Sequence, residues 1–204
     1  MSRERTVCQM RIRNEGRWIY RSLLRTFEVC AHVVLWNDGS IDNTEEEAIR
    51  AAMDAGIAPK VNEATWGWTI EAIGPATTLH FVNSPFRPAV REKQNVSEIR
   101  DKQALWEFVK ARVPFEYVLC LDGDEMLSRR LIKSFPHLWM WMDGSGLPDP
   151  AAAVDIFTLP FIYLWDSEYQ RRIDGCYADD IMDSKPVPHL RFPRLFTVKR
   201  LSEQ

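Results

Sequence analysis

The chain has 204 residues, of which 46 % are hydrophobic and 27 % charged, so it can bury a sizeable core and is neither disordered nor a coiled coil. A net charge of −3 argues against a broad electrostatic grip on nucleic acid. No apolar run approaches the ~18–20 residues that span a bilayer, and Met1–Arg5 is followed by no signal-peptide core, which predicts a cytoplasmic protein.

Thr6–Ile12 is short and β-rich, and Arg13-Asn14-Glu15-Gly16 reads as a turn with Asn14 as an N-cap. Ile19, Leu23, Leu24 and Phe27 recur at helical spacing, which predicts an amphipathic helix over 17–28. Ala31–Trp36 is a continuous apolar run, the pattern of a strand buried on both faces, and it ends in the polar loop Asn37-Asp38-Gly39-Ser40. Thr44 with Glu47 reads as a capping box, Ala48, Ala52 and Ala55 share a helix face, and Gly56 stops the helix. This β-α-β-α order predicts a parallel sheet.

Lys60–Asn62 and Thr77–Val82 read as strands within an irregular, partly β connection over 59–96. Ser97–Arg112 reads as a helix with Ile99, Leu105, Trp106 and Val109 turned inward, and Glu116–Leu121 as a buried strand running into Asp122-Gly123-Asp124-Glu125. A helix begins at Ser128, and Pro136 is expected to break or restart it. Val154–Trp165 is β-rich, with Pro160 suggesting an edge or bulge, and Leu195–Val198 is a last strand. Cys8, Cys30, Cys120 and Cys176 contain no C-x-x-C pair and read as buried reduced thiols rather than a zinc site.

The two polar loops carry the chemistry, because ligands of open α/β sheets bind at the carboxyl ends of the strands. Crowded carboxylates at 122–125 repel one another unless a cation sits among them. Hard oxygen ligands of this kind suit Mg²⁺ or Mn²⁺, with a diphosphate completing the shell. D-G-D is also ordinary turn chemistry. Asp38 offers a carboxylate to a nucleobase N–H, and the same loop also suits a plain strand-to-helix turn.

Taken together, Val7–Glu15 (VCQMRIRNE), Val33–Thr44 (VVLWNDGSIDNT) and Tyr117–Glu125 (YVLCLDGDE) resemble three signatures of the family 2 glycosyltransferases. His189–Phe196 (HLRFPRLF) is similar to an R-L-F segment of that family. The resemblance implies a GT-A-like α/β fold: a Rossmann-like, mostly parallel sheet with helices on both faces and a smaller acceptor-side β region. It implies one catalytic domain over 1–204, with a nucleotide-sugar half at 1–127 and an acceptor half at 128–204. It also implies transfer of a sugar from a nucleotide-sugar, UDP-linked before GDP or dTDP, to an acceptor hydroxyl, with inversion and dependence on Mn²⁺ or Mg²⁺. On this pattern Asp38 matches the residue that takes the base, with Asn37 beside it. Arg13, Asn14 and Glu15 match a loop bordering the base, and Arg100 a position facing the nucleotide. Asp122 and Gly123 match the ribose-side end of D-x-D, Asp122 and Asp124 the metal ligands, and His189 a late metal ligand.

An inverting enzyme needs a carboxylate base for the acceptor hydroxyl. Asp166, Glu168, Asp174, Asp179, Asp180 and Asp183 are the candidates; Asp180 ranks first, with Asp179 and Asp174 behind it, although any one of them taken singly reads more readily as a solvated surface acid. Arg191 and Arg194 suit a phosphate or, equally, a surface salt bridge, and Trp66, Trp68 and Trp165 suit sugar stacking or simple packing. Rival readings are a non-catalytic nucleotide-sugar binder, a D-x-D phosphatase and a nucleotidyltransferase. The acceptor is open among glycan, lipid-linked sugar, protein, metabolite and modified base.

Overall fold

The computed structural model describes residues 2–57, 61–64, 67–71, 77–86, 94–145, 149, 156–158 and 193–197. Among the described residues eight strands form one sheet: β1 (Thr6–Ile12), β2 (His32–Asn37), β3 (Val61–Ala64), β4 (Gly67–Glu71), β5 (Thr78–Asn83), β6 (Tyr117–Asp122), β7 (Ile156–Thr158) and β8 (Pro193–Thr197). Their order is β3-β4-β5-β2-β1-β6-β8-β7. The central four, β5-β2-β1-β6, are parallel. An antiparallel β3–β4 pair flanks β5, and β8 and β7 continue the other side in antiparallel sense.

Helices cover both faces of this α/β sheet, as its buried apolar strands require. Cys8, Met10, Ile12, Val33, Leu35, Leu119 and Leu121 pack with Ile19 and Leu23 of α1 (Ile19–Thr26), with Ala48, Ala51 and Ala52 of α2 (Thr44–Asp54), and with Phe135, Leu138 and Met142 of α4 (Arg129–Asp143). Val7, Val34, Trp36, Val82 and Val118 pack on the opposite face with Leu105 and Val109 of α3 (Gln94–Arg112). Each large side chain fully removed from water contributes about 1.5–3 kcal/mol before entropy is counted. These clusters therefore fix the strand ends from which the loops leave. No helix among the described residues is long and apolar enough to cross a membrane.

Several local expectations give way to tertiary structure. Asn14 is not an N-cap: it lies in the left-handed region at φ 57°, and α1 begins after Trp18. Asparagine tolerates that conformation because its side chain can bond locally. The Thr44–Glu47 capping box does not form: Asn43 holds the cap position, the Thr44 hydroxyl accepts from Glu15 N of the neighbouring loop, and Glu47 pairs with Arg50 at 2.6 Å. Ile99 is 69 % exposed, because Leu105 and Val109 turn another stripe of α3 toward the sheet.

Pro136 neither breaks nor restarts α4, which runs continuously from its Ser128 cap, where the hydroxyl accepts from Leu131 N at 3.1 Å. An interior proline costs about 3 kcal/mol. The burial of Phe135, Leu138 and Met142 on either side of it offsets that cost. β4 was hidden in the sequence by the short runs around Gly67, and within Val154–Trp165 the described strand is the edge strand β7. Cys8, Cys30 and Cys120 are free thiols, and Cys176 lies outside the described residues.

Candidate functional site

β1 lies between β2 and β6, so the loops that leave their carboxyl ends share one rim. Ile12 pairs with Asn37 on one side, and Arg11 pairs with Asp122 on the other. At roughly 4.8 Å per strand spacing, the Asp38 and Asp122 loops are about 10 Å apart across β1.

The first two loops are tied together by their own backbones. Asp38 N donates to Ile12 O at 2.9 Å, and Asn14 N donates to Ser40 Oγ at 2.9 Å. Ile41 N donates to Asn14 Oδ1 at 2.9 Å, Glu15 N to Thr44 Oγ1 at 2.8 Å, and Gly16 N to Asp42 Oδ2 at 3.0 Å. Asn37 braces the loop from inside: its Oδ1 accepts from Ser40 N at 3.0 Å, and its Nδ2 donates to Asn83 Oδ1 at 2.8 Å.

Asp38 is fully buried at the floor of this rim. Arg11 Nη2 donates to its Oδ2 at 2.6 Å, and Arg13 Nη1 stands 3.9 Å from the same oxygen. Among the described residues its Oδ1 has no hydrogen-bond partner. A buried carboxylate oxygen without a donor is costly, and an N–H brought by a ligand would satisfy it.

The acidic turn divides its carboxylates between two tasks. Glu125 folds back so that its Oε2 accepts from Asp122 N at 2.8 Å, while Glu125 N donates to Asp122 O at 3.0 Å. Ser22 Oγ donates to Glu125 O at 2.6 Å and anchors the turn to α1. Glu125 thus shapes the turn that carries Asp122 and the exposed Asp124. Among the described residues no three of His, Cys, Asp and Glu gather into a metal cage. Two carboxylates completed by phosphate oxygens fit Mg²⁺ or Mn²⁺, which keep open positions for a substrate.

Gly123 allows Glu15 to lie over the turn. A Cβ there would come 2.7 Å from Glu15 Cγ and 2.8 Å from Ile12 Cγ2. Gly123→Ala is expected to cost about 1–3 kcal/mol by overpacking, read as a lower urea midpoint. The Glu15 carboxyl is pushed up to about 7, first by burial and then by the charges of Asp124, Asp122 and Asp42. An unfolded glutamate titrates near 4.5, so between pH 4.5 and 7 the folded chain keeps a proton that the unfolded chain has released. Stability contributed at this position therefore falls as pH rises through that window. Without divalent ions, Glu15→Gln is expected to raise the melting temperature at pH 8 and change it little at pH 5. Equal shifts at the two pH values would contradict this.

Of the residues singled out in the sequence, the structure brings Arg13, Asn14, Glu15, Asn37, Asp38, Asp122, Gly123 and Asp124 to this rim. Arg100 borders it through Asp101: its guanidinium stacks 4.0 Å from the Phe86 ring centroid and lies 3.8 Å from Asp101 Oδ1. Asp174, Asp179, Asp180 and His189 lie outside the described residues, as do Asp166, Glu168, Asp183 and Arg191. Sequence reading missed Arg11, Asn83, Ser84 and Asp101. Arg11 and Asp101 left a signal: Arg11 is a charge inside a buried strand, and Asp101 shares the helix stripe of Leu105 and Val109.

No protein-family model matches the chain, and no curated protein matches it. Solved structures similar to the chain at low identity include three from different organisms. Staphylococcus aureus TarS matches with 12 % identity over 68 % of this chain and 32 % of that one, at a TM-score of 0.42. Mycobacterium tuberculosis glucosyl-3-phosphoglycerate synthase matches with 16 % identity over 71 % and 42 %, at 0.38. A Pyrobaculum calidifontis mannosyltransferase in complex with GDP-Man and Mn²⁺ matches with 18 % identity over 74 % and 34 %, at 0.42. The chain therefore spans less than half the length of each. The α/β assignment rests on the chain's own strand order, with a parallel four-strand centre between two helical layers.

Proposed function

We propose that the chain is a metal-dependent, inverting glycosyltransferase of family 2 that moves a hexosyl or related sugar from a nucleotide-sugar to an acceptor hydroxyl in the cytoplasm. The observation that carries this reading is the shared rim, where a fully buried acceptor-only carboxylate, Asp38, and an acidic turn, Asp122–Asp124, flank one strand. The first suits a nucleobase N–H. The second suits a divalent ion holding a diphosphate, one on each side of a nucleoside diphosphate.

In this scheme Asp38 takes the base, Asn37 holds the loop, and Arg13, Asn14 and Glu15 border the base. Arg100 faces the nucleotide, and Asp122 and Asp124 hold Mn²⁺ or Mg²⁺. The metal, when bound, neutralises charge on the departing diphosphate. Residues 1–127 form the donor half and 128–204 the acceptor half, where a carboxylate removes the acceptor proton from the face opposite the diphosphate. That removal contributes roughly 10²–10⁴-fold in rate.

Thermal shifts with UDP-, GDP- and dTDP-sugars, with and without Mn²⁺, test the reading; no metal-dependent stabilisation by any of them would overturn it. Release of the nucleotide separates an enzyme from a non-catalytic binder. Changing Asp166, Glu168, Asp174, Asp179, Asp180 and Asp183 singly to their amides is expected to leave one variant, with Asp180→Asn first, that binds donor normally and has lost turnover. Near wild-type transfer by all six would place the base elsewhere.

A further inference from the structure

We propose that the outward faces of α1 and α4 form a basic surface with an aromatic end that docks on a bilayer containing anionic lipids. The inference goes beyond the donor-site reading and does not depend on it.

α4 has two unlike faces. Phe135, Leu138 and Met142 lie on the inner one, buried against the sheet. Positions 130, 133, 137, 140 and 141 recur at helical spacing on the opposite side. Arg130, Lys133 and His137 stand there exposed, followed by Met140 and Trp141, which are 44 % and 43 % exposed. A single exposed apolar residue is ordinary. Here two adjoin each other at the end of a row of cations.

α1 extends the same surface. Its Ile19, Ser22, Leu23 and Thr26 are buried. Arg17, Arg21 and Arg25, spaced by four residues, therefore run along its outward side. Arg25 Nη1 donates to Leu127 O at 2.9 Å, and Ser22 Oγ donates to Glu125 O at 2.6 Å. These bonds bring that side of α1 against the segment leading into α4. Glu28, the one acid on these two rows among the described residues, pairs with Arg129. Six cations thus accompany one acid on a chain whose net charge is −3. The positive side is a local asymmetry, of opposite sign to the chain as a whole.

Chemistry chooses the partner. Each Lys or Arg close to an anionic lipid surface strengthens binding about fivefold. Tryptophan settles at the level of the headgroups, because its ring is apolar and its N–H polar. A nucleic acid would satisfy the cations and leave Met140 and Trp141 in water. No helix among the described residues can cross the bilayer, so the contact lies on the surface and is sensitive to salt. Ser128, the cap of α4, follows Glu125 by three residues, so docking sets the acidic turn close to the headgroups. On the donor-site reading, and for this point alone, the rim then meets an acceptor carried in the bilayer.

Co-sedimentation with vesicles of phosphatidylcholine alone, and of phosphatidylcholine mixed with phosphatidylglycerol, tests the docking. The wild-type chain is expected to pellet with the mixed vesicles, to ignore the neutral ones and to be released by high salt. Arg130→Glu combined with Lys133→Glu is expected to weaken binding to the mixed vesicles ~30-fold or more, the product of two lost cations. Trp141→Ser is expected to weaken it at least ~threefold through lost apolar contact. Both variants change exposed side chains and are expected to melt near wild type. Should the charge reversal not fold, Arg130→Gln with Lys133→Gln is expected to weaken binding in the same direction. No binding to mixed vesicles, equal binding to both kinds, or unchanged binding by either folded variant overturns the inference. Without vesicle binding, retention of a single-stranded oligonucleotide assigns the surface to nucleic acid. A dimer in sedimentation velocity that Trp141→Ser dissociates assigns it to a second copy; either result also overturns the inference. UDP binding in Mn²⁺, measured on the same samples, reports on the donor site separately.

Discussion

Arg11→Met is expected to destabilise the chain by about 3–5 kcal/mol, the usual cost of removing one partner from a buried ion pair. Asp38 is fully buried and would lose the guanidinium 2.6 Å from its Oδ2. Arg13 cannot replace it, since it stands 3.9 Å away with 43 % of its side chain exposed. Asp101, also fully buried, would lose its facing charge at the same time. For a chain of this size the melting temperature is expected to fall by roughly 6–20 °C. The second substitution Asp38→Asn, added to Arg11→Met, removes the stranded charge and is expected to recover much of that loss. Paired residues of this kind are not additive. A single-variant loss below about 1 kcal/mol in urea would show that the pair is not desolvated as the geometry requires.

Asp124→Ala is expected to remove the Mn²⁺-dependent part of UDP binding, by ~100-fold or more, while the fold survives. Even residues that only support a metal's ligands cost 10–100-fold when changed, on the order of magnitude generally seen, so a direct ligand costs at least as much. The fold is expected to survive because Asp124 is exposed in the turn, and the change leaves the bonds between Asp122 and Glu125 in place. The same change removes the first-named charge that raises the Glu15 carboxyl, which is therefore expected to titrate lower. Unchanged UDP affinity in Mn²⁺ would remove Asp124 from the metal.

The sequence was most legible where one pattern decides one structure. The runs at 31–36 and 116–121 are too apolar for anything but doubly buried strands, and both became neighbours of β1. The loops that follow them were therefore placed on one rim by topology alone. Local signals failed where a tertiary contact outbid them. Thr44 had the spacing of a cap, yet its hydroxyl serves Glu15 N from the neighbouring loop. Pro136 had the chemistry of a break, yet the apolar stripe around it holds α4 on the sheet. Arg11 and Asp101 escaped notice because they are distant in sequence and share no motif; a register between β1 and β2 and a helix packed above them are needed to see the pair. The acid–base half of the candidate site stays a matter of sequence, since 166–183 and His189 fall outside the described residues.

The insertion of β8 beside β6 has a consequence for synthesis. β6 ends at Asp122 with the acidic turn, but the strand that covers its outer edge begins only at Pro193. At ~5–20 residues per second, the ribosome takes roughly 4–14 s to deliver that cover. For that interval the strand bearing the acidic turn has a bare row of amides and carbonyls, the template on which another nascent chain can pair. Crowded translation, or a stall between these two strands, would thus favour association of unfinished chains through β6. A chain cut before Pro193 would keep that edge permanently, whatever the integrity of its nucleotide-facing loops.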